Sequence, residues 1–331
     1  MKRAFVTGGG GFLGRRLVEL LLQAGWDVVA ASRRSYPELE TAGARSISVD
    51  VGQVDSVRSA LRNARPDVVF HVAALTGVWG KRADFERVNV LGTENVVAAA
   101  RELGVGRLVY TSSPSVCFDG TSHRDAGNEL PYAARFLSPY PATKARAEAL
   151  VLAANDDDFA TVALRPHLIF GEGDPHLVPR LIERARSRRL AIVGAGDNVV
   201  SLTYVGNAAH AHLDAADALA PGARHAGRAY FLGQAEPVEL WAWIAELLRR
   251  LELPPVTRHV SPRVAYALGG VLETAWKLLA LSGEPPMTRF VAQQLAGDHH
   301  YDIGPAQRDF GYVERVDLAT ATQRTVEAFR A

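Results

Sequence analysis

The chain has 331 residues, with 37 Lys and Arg against 36 Asp and Glu and a formal net charge of +1. Charges of both signs are interspersed and form no basic stripe, which excludes nucleic acid as an expected partner, while the length is a soft prior for about two domains. The lone cysteine, Cys117, excludes an intrachain disulfide. Lys2 and Arg3 stand directly before the first apolar run and leave no room for a signal-peptide core, so the expected location is the cytoplasm.

The first apolar run enters a glycine-rich turn, Thr7-Gly8-Gly9-Gly10-Gly11-Phe12-Leu13-Gly14, and a helix is expected from about 12 to 24. Its Leu13, Leu17, Leu20, Leu21 and Ala24 share a stripe, and Gly25 ends it. Glycines that let the backbone approach phosphates, followed by the free N–H groups of a helix start, describe a dinucleotide floor; the plain alternative is a glycine turn of any α/β protein. Gly8, Gly11, Phe12, Leu13 and Gly14 are the candidate residues. Further short Val-, Ile- and Phe-rich runs at 27–32, 46–49, 67–72, 107–111 and 160–165 alternate with helical periodicity, including one long helix from Asp84 to Leu103. The pattern predicts a Rossmann-type doubly wound parallel sheet over 1–165, completed by about 200–235, with a smaller C-terminal substrate-capping region formed by 166–199 and 236–331.

At the end of the second run, where an acidic residue would hold the ribose hydroxyls of NAD, the chain reads Ser32-Arg33-Arg34. Two guanidinium groups suit the 2′-phosphate of NADP, so NADP is preferred over NAD; two solvated arginines are the alternative. Asp50, with Val51 after it, either flanks the adenine or caps a helix over 51–62. Farther on, the strand ending Tyr110-Thr111-Ser112-Ser113 and the pair Tyr140-x-x-x-Lys144 bring hydroxyl, phenol and ammonium to one end of the sheet. A tyrosine with a pKa near 10 is only about one part in a thousand phenolate at pH 7, and lowering it by roughly three units takes about 4 kcal/mol, a task for Lys144 and a nicotinamide cation. Ser113, Tyr140 and Lys144 are the candidate catalytic residues, with Tyr140 and Lys144 also touching the cofactor.

These motifs, with Asn89 in Val-Asn-Val-Leu-Gly-Thr and Leu164-Arg-Pro-His167, resemble the extended short-chain dehydrogenases, and more narrowly their 3β-hydroxysteroid dehydrogenase branch. The stretches 112–120 and 165–179 are similar to sterol-4-carboxylate 3-dehydrogenases, whereas 151–156, 283–290 and 308–312 look more like 2-alkyl-3-oxoalkanoate reductases of long-chain olefin synthesis. The resemblance implies an NAD(P)-dependent enzyme that interconverts a secondary alcohol and a ketone on a large hydrophobic substrate. The sterol reading stands first and the alkanoate reading second. It also implies cofactor contacts from Ala73, Ala74, Asn89, Pro166 and His167, and substrate contacts from Ser113, Pro114 and Tyr204; Trp79, in the loop after the fourth run, either lines the pocket or packs, and His167, at the mouth of a strand, either touches substrate or caps the strand edge. A non-catalytic NAD(P)-sensing protein is the rival of another class, and such proteins often lose the tyrosine or lysine.

The clusters His210-x-His212 and His299-His300 lack convincing ligand partners, so no metal is expected. Residues 263–282 form the most hydrophobic long segment. Glu273 and Lys277 predict a polar edge on an amphipathic helix, with Val264, Leu268, Val271, Leu272, Ala275, Leu278 and Leu279 as its apolar face. That face is expected to roof the substrate pocket, rest on a membrane or pack as core. Peripheral membrane contact at most, and a homodimer, complete the expected partners.

Overall fold

The computed structural model describes residues 1–330. Seven parallel strands form the central sheet: β1 (Arg3–Thr7), β2 (Asp27–Ser32), β3 (Arg45–Ser48), β4 (Val68–His71), β5 (Arg107–Thr111), β6 (Ala160–Pro166) and β7 (Arg228–Leu232). Their spatial order is β7-β6-β5-β4-β1-β2-β3. The order reverses beside β1, and a crevice opens there at the carboxyl ends of the strands. Central strands buried on both faces explain the uninterrupted apolar runs: every residue of β4 and β6 is buried.

The Phe12–Gln23 helix lays Leu13, Leu17, Val18 and Leu21 on the sheet. It ends where Gly25 takes φ +77°, a conformation without penalty only for glycine. The expected helix from 84 to 103 is continuous but not regular. A π-helical turn, Glu86–Leu91, joins Arg82–Phe85 to Gly92–Glu102, and Asn89 lies in it. Such turns recur at functional sites because the extra residue re-aims a side chain. Asp50 does not cap the next helix, which begins at Val54 with Gln53 at its N-cap. Instead its carboxylate accepts from Gly52 N at 2.9 Å and from Arg87 Nη1 at 2.8 Å.

A second sheet of four short strands covers the far side, in the order Val238–Glu239, Val199–Val200, His299–Tyr301 and His123–Ala126. Its last strand comes from within the first 165 residues, so this sheet joins segments from both sides of the boundary expected from sequence. The helix expected near the C-terminus spans Pro262–Leu278, and its apolar face does not pack as core. Ala265, Gly269 and Glu273 are its buried residues, while Val264, Leu268, Val271, Leu278 and Leu279 are exposed. Glu273 is therefore not part of a polar edge; it accepts from Arg289 N at 2.7 Å and Nε at 2.9 Å. Gly269 permits this packing, because a Cβ there would stand 2.6 Å from Arg289 N.

Candidate active site

The crevice beside β1 is a cleft of about 850 Å³. Gly8, Gly11, Phe12, Leu13 and Gly14 line its floor, and a Cβ on Gly14 would lie 2.1 Å from Gly8 O. Gly11 provides no side-chain cap for the helix. The N–H groups of its first turn are therefore available to an anion, and the helix dipole favours one. Ser32 Oγ accepts from Gly10 N at 2.9 Å, which pins the turn to the end of β2. Arg33 and Arg34 line the cleft beside it, the Arg34 guanidinium lying 5.0 Å from the Tyr36 ring centre. Asp50, Val51, Ala73, Ala74 and Pro166 complete the sequence-expected wall. These features fit a dinucleotide: anion-binding amides at the centre, cations and a carboxylate at the adenosine end, and hydroxyl, phenol and ammonium at the other.

At that other end Ser113, Tyr140 and Lys144 all face the cleft. The Pro139–Ala153 helix is capped by Ser138, whose hydroxyl accepts from Tyr140 N, and Pro139 and Pro141 fall in its first turn, where a proline is tolerated. Ser113 Oγ accepts from Ser115 N at 3.2 Å and Ser115 Oγ at 2.9 Å, leaving its own proton free to donate. Lys144 is buried over the Tyr110 ring, 4.0 Å from its centre, and Nζ donates to Thr111 O. Burial lowers the Lys144 ammonium to about 7, although Glu148 opposes the shift. Burial also pushes Tyr140 up to about 12, against a smaller opposing effect of the Ser113 hydrogen bond. The expected depression of the Tyr140 pKa is thus absent from the protein alone, because loss of solvation outweighs the neighbouring groups.

A buried polar chain holds the wall behind this site. His71 bonds Thr7 Oγ1 at 2.7 Å and Thr93 Oγ1 at 2.9 Å. Thr93 Oγ1 donates to Asn89 O, so His71 Nε2 donates to Thr93 and Nδ1 accepts from Thr7. Burial holds the His71 imidazolium down to about 3, so the ring is neutral. Asn89 does not line the cleft. Its side chain accepts from Leu75 N at 2.7 Å and donates to Leu75 O and Thr143 Oγ1, so it positions the loop rather than touching its contents.

Four expected contacts lie elsewhere. His167 is buried with Nδ1 2.7 Å from Ser201 O, turned away from the cleft by the bond that fixes its ring. Tyr204 is buried in the main core and donates to Glu172 Oε1 at 2.9 Å. Pro114 is buried in the turn after Ser113. Trp79 lies under Lys277 Nζ, 5.6 Å from its ring centre, at the contact with the Pro262–Leu278 helix. His212 bonds Thr111 Oγ1 and Ala208 O, both at 2.7 Å, behind β5. Conversely Tyr36, Leu75, Thr76, Leu168, Ile169, His176 and Leu177 line the cleft without having been singled out. Tyr36, three residues after Arg33, had the clearest signal, an aromatic residue close behind the two arginines; the others follow strand ends by distances that only the fold fixes.

A parallel sheet with a glycine turn at its switch point and a hydroxyl–tyrosine–lysine set at its carboxyl edge defines a nicotinamide-dependent oxidoreductase. The model of the 3-beta hydroxysteroid dehydrogenase/isomerase family matches residues 5–262, and the chain belongs to that family. It is 48% identical to a 2-alkyl-3-oxoalkanoate reductase of Stenotrophomonas maltophilia over 97% of this chain and 98% of the relative. It is 34% identical to the mouse sterol-4-alpha-carboxylate 3-dehydrogenase, decarboxylating, over 99% of this chain and 91% of that one. Among solved structures, MoeE5 in complex with UDP-glucose and NAD is similar with a TM-score of 0.73 and 27% identity, covering 99% of this chain and 98% of that one. No helix among the described residues is long and apolar enough to cross a membrane.

Proposed function

We propose that this enzyme interconverts a long-chain 2-alkyl-3-oxoalkanoate and its 3-hydroxy acid, working as a reductase with NADPH. The carrying observation is the 48% identity to a reductase of that name over nearly the full length of both chains. The second of the two substrate readings made from sequence is thereby placed first. Leu75, Leu168, Ile169 and Leu177 give the cleft apolar wall suited to alkyl chains.

The glycine turn, Arg33, Arg34, Tyr140 and Lys144 would hold the nicotinamide cofactor, which would supply hydride for the carbonyl carbon. Ser113 donates to the carbonyl oxygen and fixes the ketone's orientation. Tyr140 then gives its proton to the oxygen as alkoxide character develops. A phenol held up to about 12 by burial keeps that proton until a strong base appears beside it, which suits an acid in the reductive direction. Lys144, restrained by Thr111 O, orients the nicotinamide ribose and, when protonated, stabilises the phenolate left behind. Arg33 and Arg34 favour the 2′-phosphate of NADP.

The test runs from the alcohol side, because a 3-oxo acid loses carbon dioxide readily. Absorbance at the nicotinamide band is followed with a 2-alkyl-3-hydroxyalkanoate and with a 3β-hydroxysterol-4-carboxylate, each with NADP and NAD. The expected result is turnover of the alkanoate with NADP as the better cofactor; turnover confined to the sterol would replace this reading with the sterol one. The outward apolar stripe of the Pro262–Leu278 helix adds peripheral contact with a membrane surface to the proposal.

A further inference from the structure

A second concavity, of about 500 Å³, lies between the loop at Gly120–Ser122 and the Pro262–Leu278 and Arg289–Ala296 helices. It shares no lining residue with the nucleotide cleft. Its size falls within the range of about 300–1,000 Å³ usual for small-molecule sites. The walls are apolar along Pro262, Tyr266, Ala292 and Ala296, while Thr121, Ser122 and the exposed Arg263 line the rest. The floor is polar. His299 lines it at 1% exposure, and neither ring nitrogen has a well-formed hydrogen bond, although the Gln293 backbone carbonyl acts on the ring; Gln293 Oε1, also buried there, has none either. Buried polar atoms are ordinarily paired, and each one left unpaired costs about 1–3 kcal/mol. Three such atoms on one floor under apolar walls point to a ligand rather than to packing.

The chemistry of those atoms selects the ligand. Burial lowers the His299 imidazolium to about 3, so the ring is neutral and offers one N–H and one lone pair. With Gln293 Oε1 the floor therefore presents two acceptors and one donor. A carboxylate brings acceptors only, so it would leave both floor acceptors unpaired even with the exposed Arg263 on the wall, and a hydrocarbon satisfies nothing. A hydroxyl donates once and accepts as well. We propose that this groove binds an uncharged apolar alcohol, its hydroxyl on His299 and Gln293 and its hydrocarbon body along Ala292, Ala296 and Tyr266. The site is distinct from the catalytic cleft and independent of the activity proposed above, so a chain inactive on every 3-oxo acid would still bind the alcohol.

The probes are 1-decanol, decanoate and a water-dispersed sterol bearing a single hydroxyl, added to the full chain carrying 15N-labelled histidine. The His299 ring signals are assigned by their loss in His299→Gln. Decanol is expected to shift those signals saturably and to bind at least tenfold more tightly than decanoate at pH 7. The sterol arm reports whether rigid or flexible alcohols are preferred, and saturable His299 shifts from either support the proposal. His299→Phe removes both nitrogens with little change of shape and should weaken decanol at least tenfold while cofactor binding is retained. Ala296→Trp, which fills the groove, should abolish it. Equal binding of decanol and decanoate would overturn the proposal, as would decanol binding without any change at His299, the result expected if water alone satisfies the floor.

Discussion

Two helices of this enzyme carry the same kind of apolar stripe and place it oppositely. In Phe12–Gln23 the stripe of Leu13, Leu17 and Leu21 is buried against the sheet, and in Pro262–Leu278 the stripe of Val264, Leu268, Val271 and Leu278 faces outward. Periodicity reveals that a helix has two faces; it does not say which faces inward. What decides the second helix is close approach and charge pairing. Gly269 admits the backbone at Thr288 and Arg289, and Glu273 satisfies both the backbone N–H and the guanidinium of Arg289. Small and ionic residues outcompete leucines for the interior where a neighbouring helix start must be received.

The largest effect should come from the well-read half. Tyr140→Phe is expected to cut turnover by on the order of 10²-fold or more, with cofactor affinity nearly unchanged. Lys144→Ala should impair both. Normal turnover in Tyr140→Phe would leave the sequence motif correctly located and wrongly interpreted.

The next effect concerns the cofactor. Arg33 and Arg34 are exposed, so water screens their charge-assisted hydrogen bonds to a 2′-phosphate; replacing both by alanine should reduce NADPH efficiency by roughly 10- to 100-fold and leave NADH little changed. Catalytic efficiencies for both cofactors in both proteins decide it. A wild type that prefers NADH would show the arginines to be surface groups and would separate cleft lining from cofactor recognition.

The sheet, its glycine turn and the hydroxyl–tyrosine–lysine set were legible because local sequence causes them: β-branched runs, glycines that no side chain can replace, and residues four apart on one helix. The second sheet was not. It joins strands as distant as His123–Ala126 and His299–Tyr301, which sequence proximity cannot pair. His167 and Tyr204 stand outside the cleft lining for the same reason. Each follows or forms a strand near the cleft, yet each bonds a partner from another segment, His167 to Ser201 O and Tyr204 to Glu172.

Glu273 tests the inversion directly. Its removal in Glu273→Ala leaves an N–H and a guanidinium without their acceptor; because Arg289 is partly exposed, the cost should be about 1–3 kcal/mol rather than that of a fully buried pair. Thermal unfolding beside Glu327→Ala, a replacement on an exposed helix surface, supplies the scale. If the two variants unfold alike, Glu273 belongs to a solvated edge after all and the helix lies as its hydrophobic pattern first suggested.

The smallest effect on stability should come from the stripe itself. Val271 is 66% exposed and Leu278 80%, so little apolar area leaves water when they fold into place, and Val271→Ser with Leu278→Ser should change stability by no more than about 0.5 kcal/mol per site. The same substitutions should matter to partition. A stripe that rests on a lipid surface gains free energy in proportion to the apolar area it inserts. The wild type should therefore co-sediment with anionic vesicles more than the double variant, while both are released by high salt or dilution without detergent. Arg263 and Lys277 flank the stripe, so the bound fraction should also fall as salt is raised. Strong destabilisation by the double variant would mean that the stripe packs against protein and that the two helices do not differ. Release only by detergent would instead require a deeper anchor than a surface-lying helix provides.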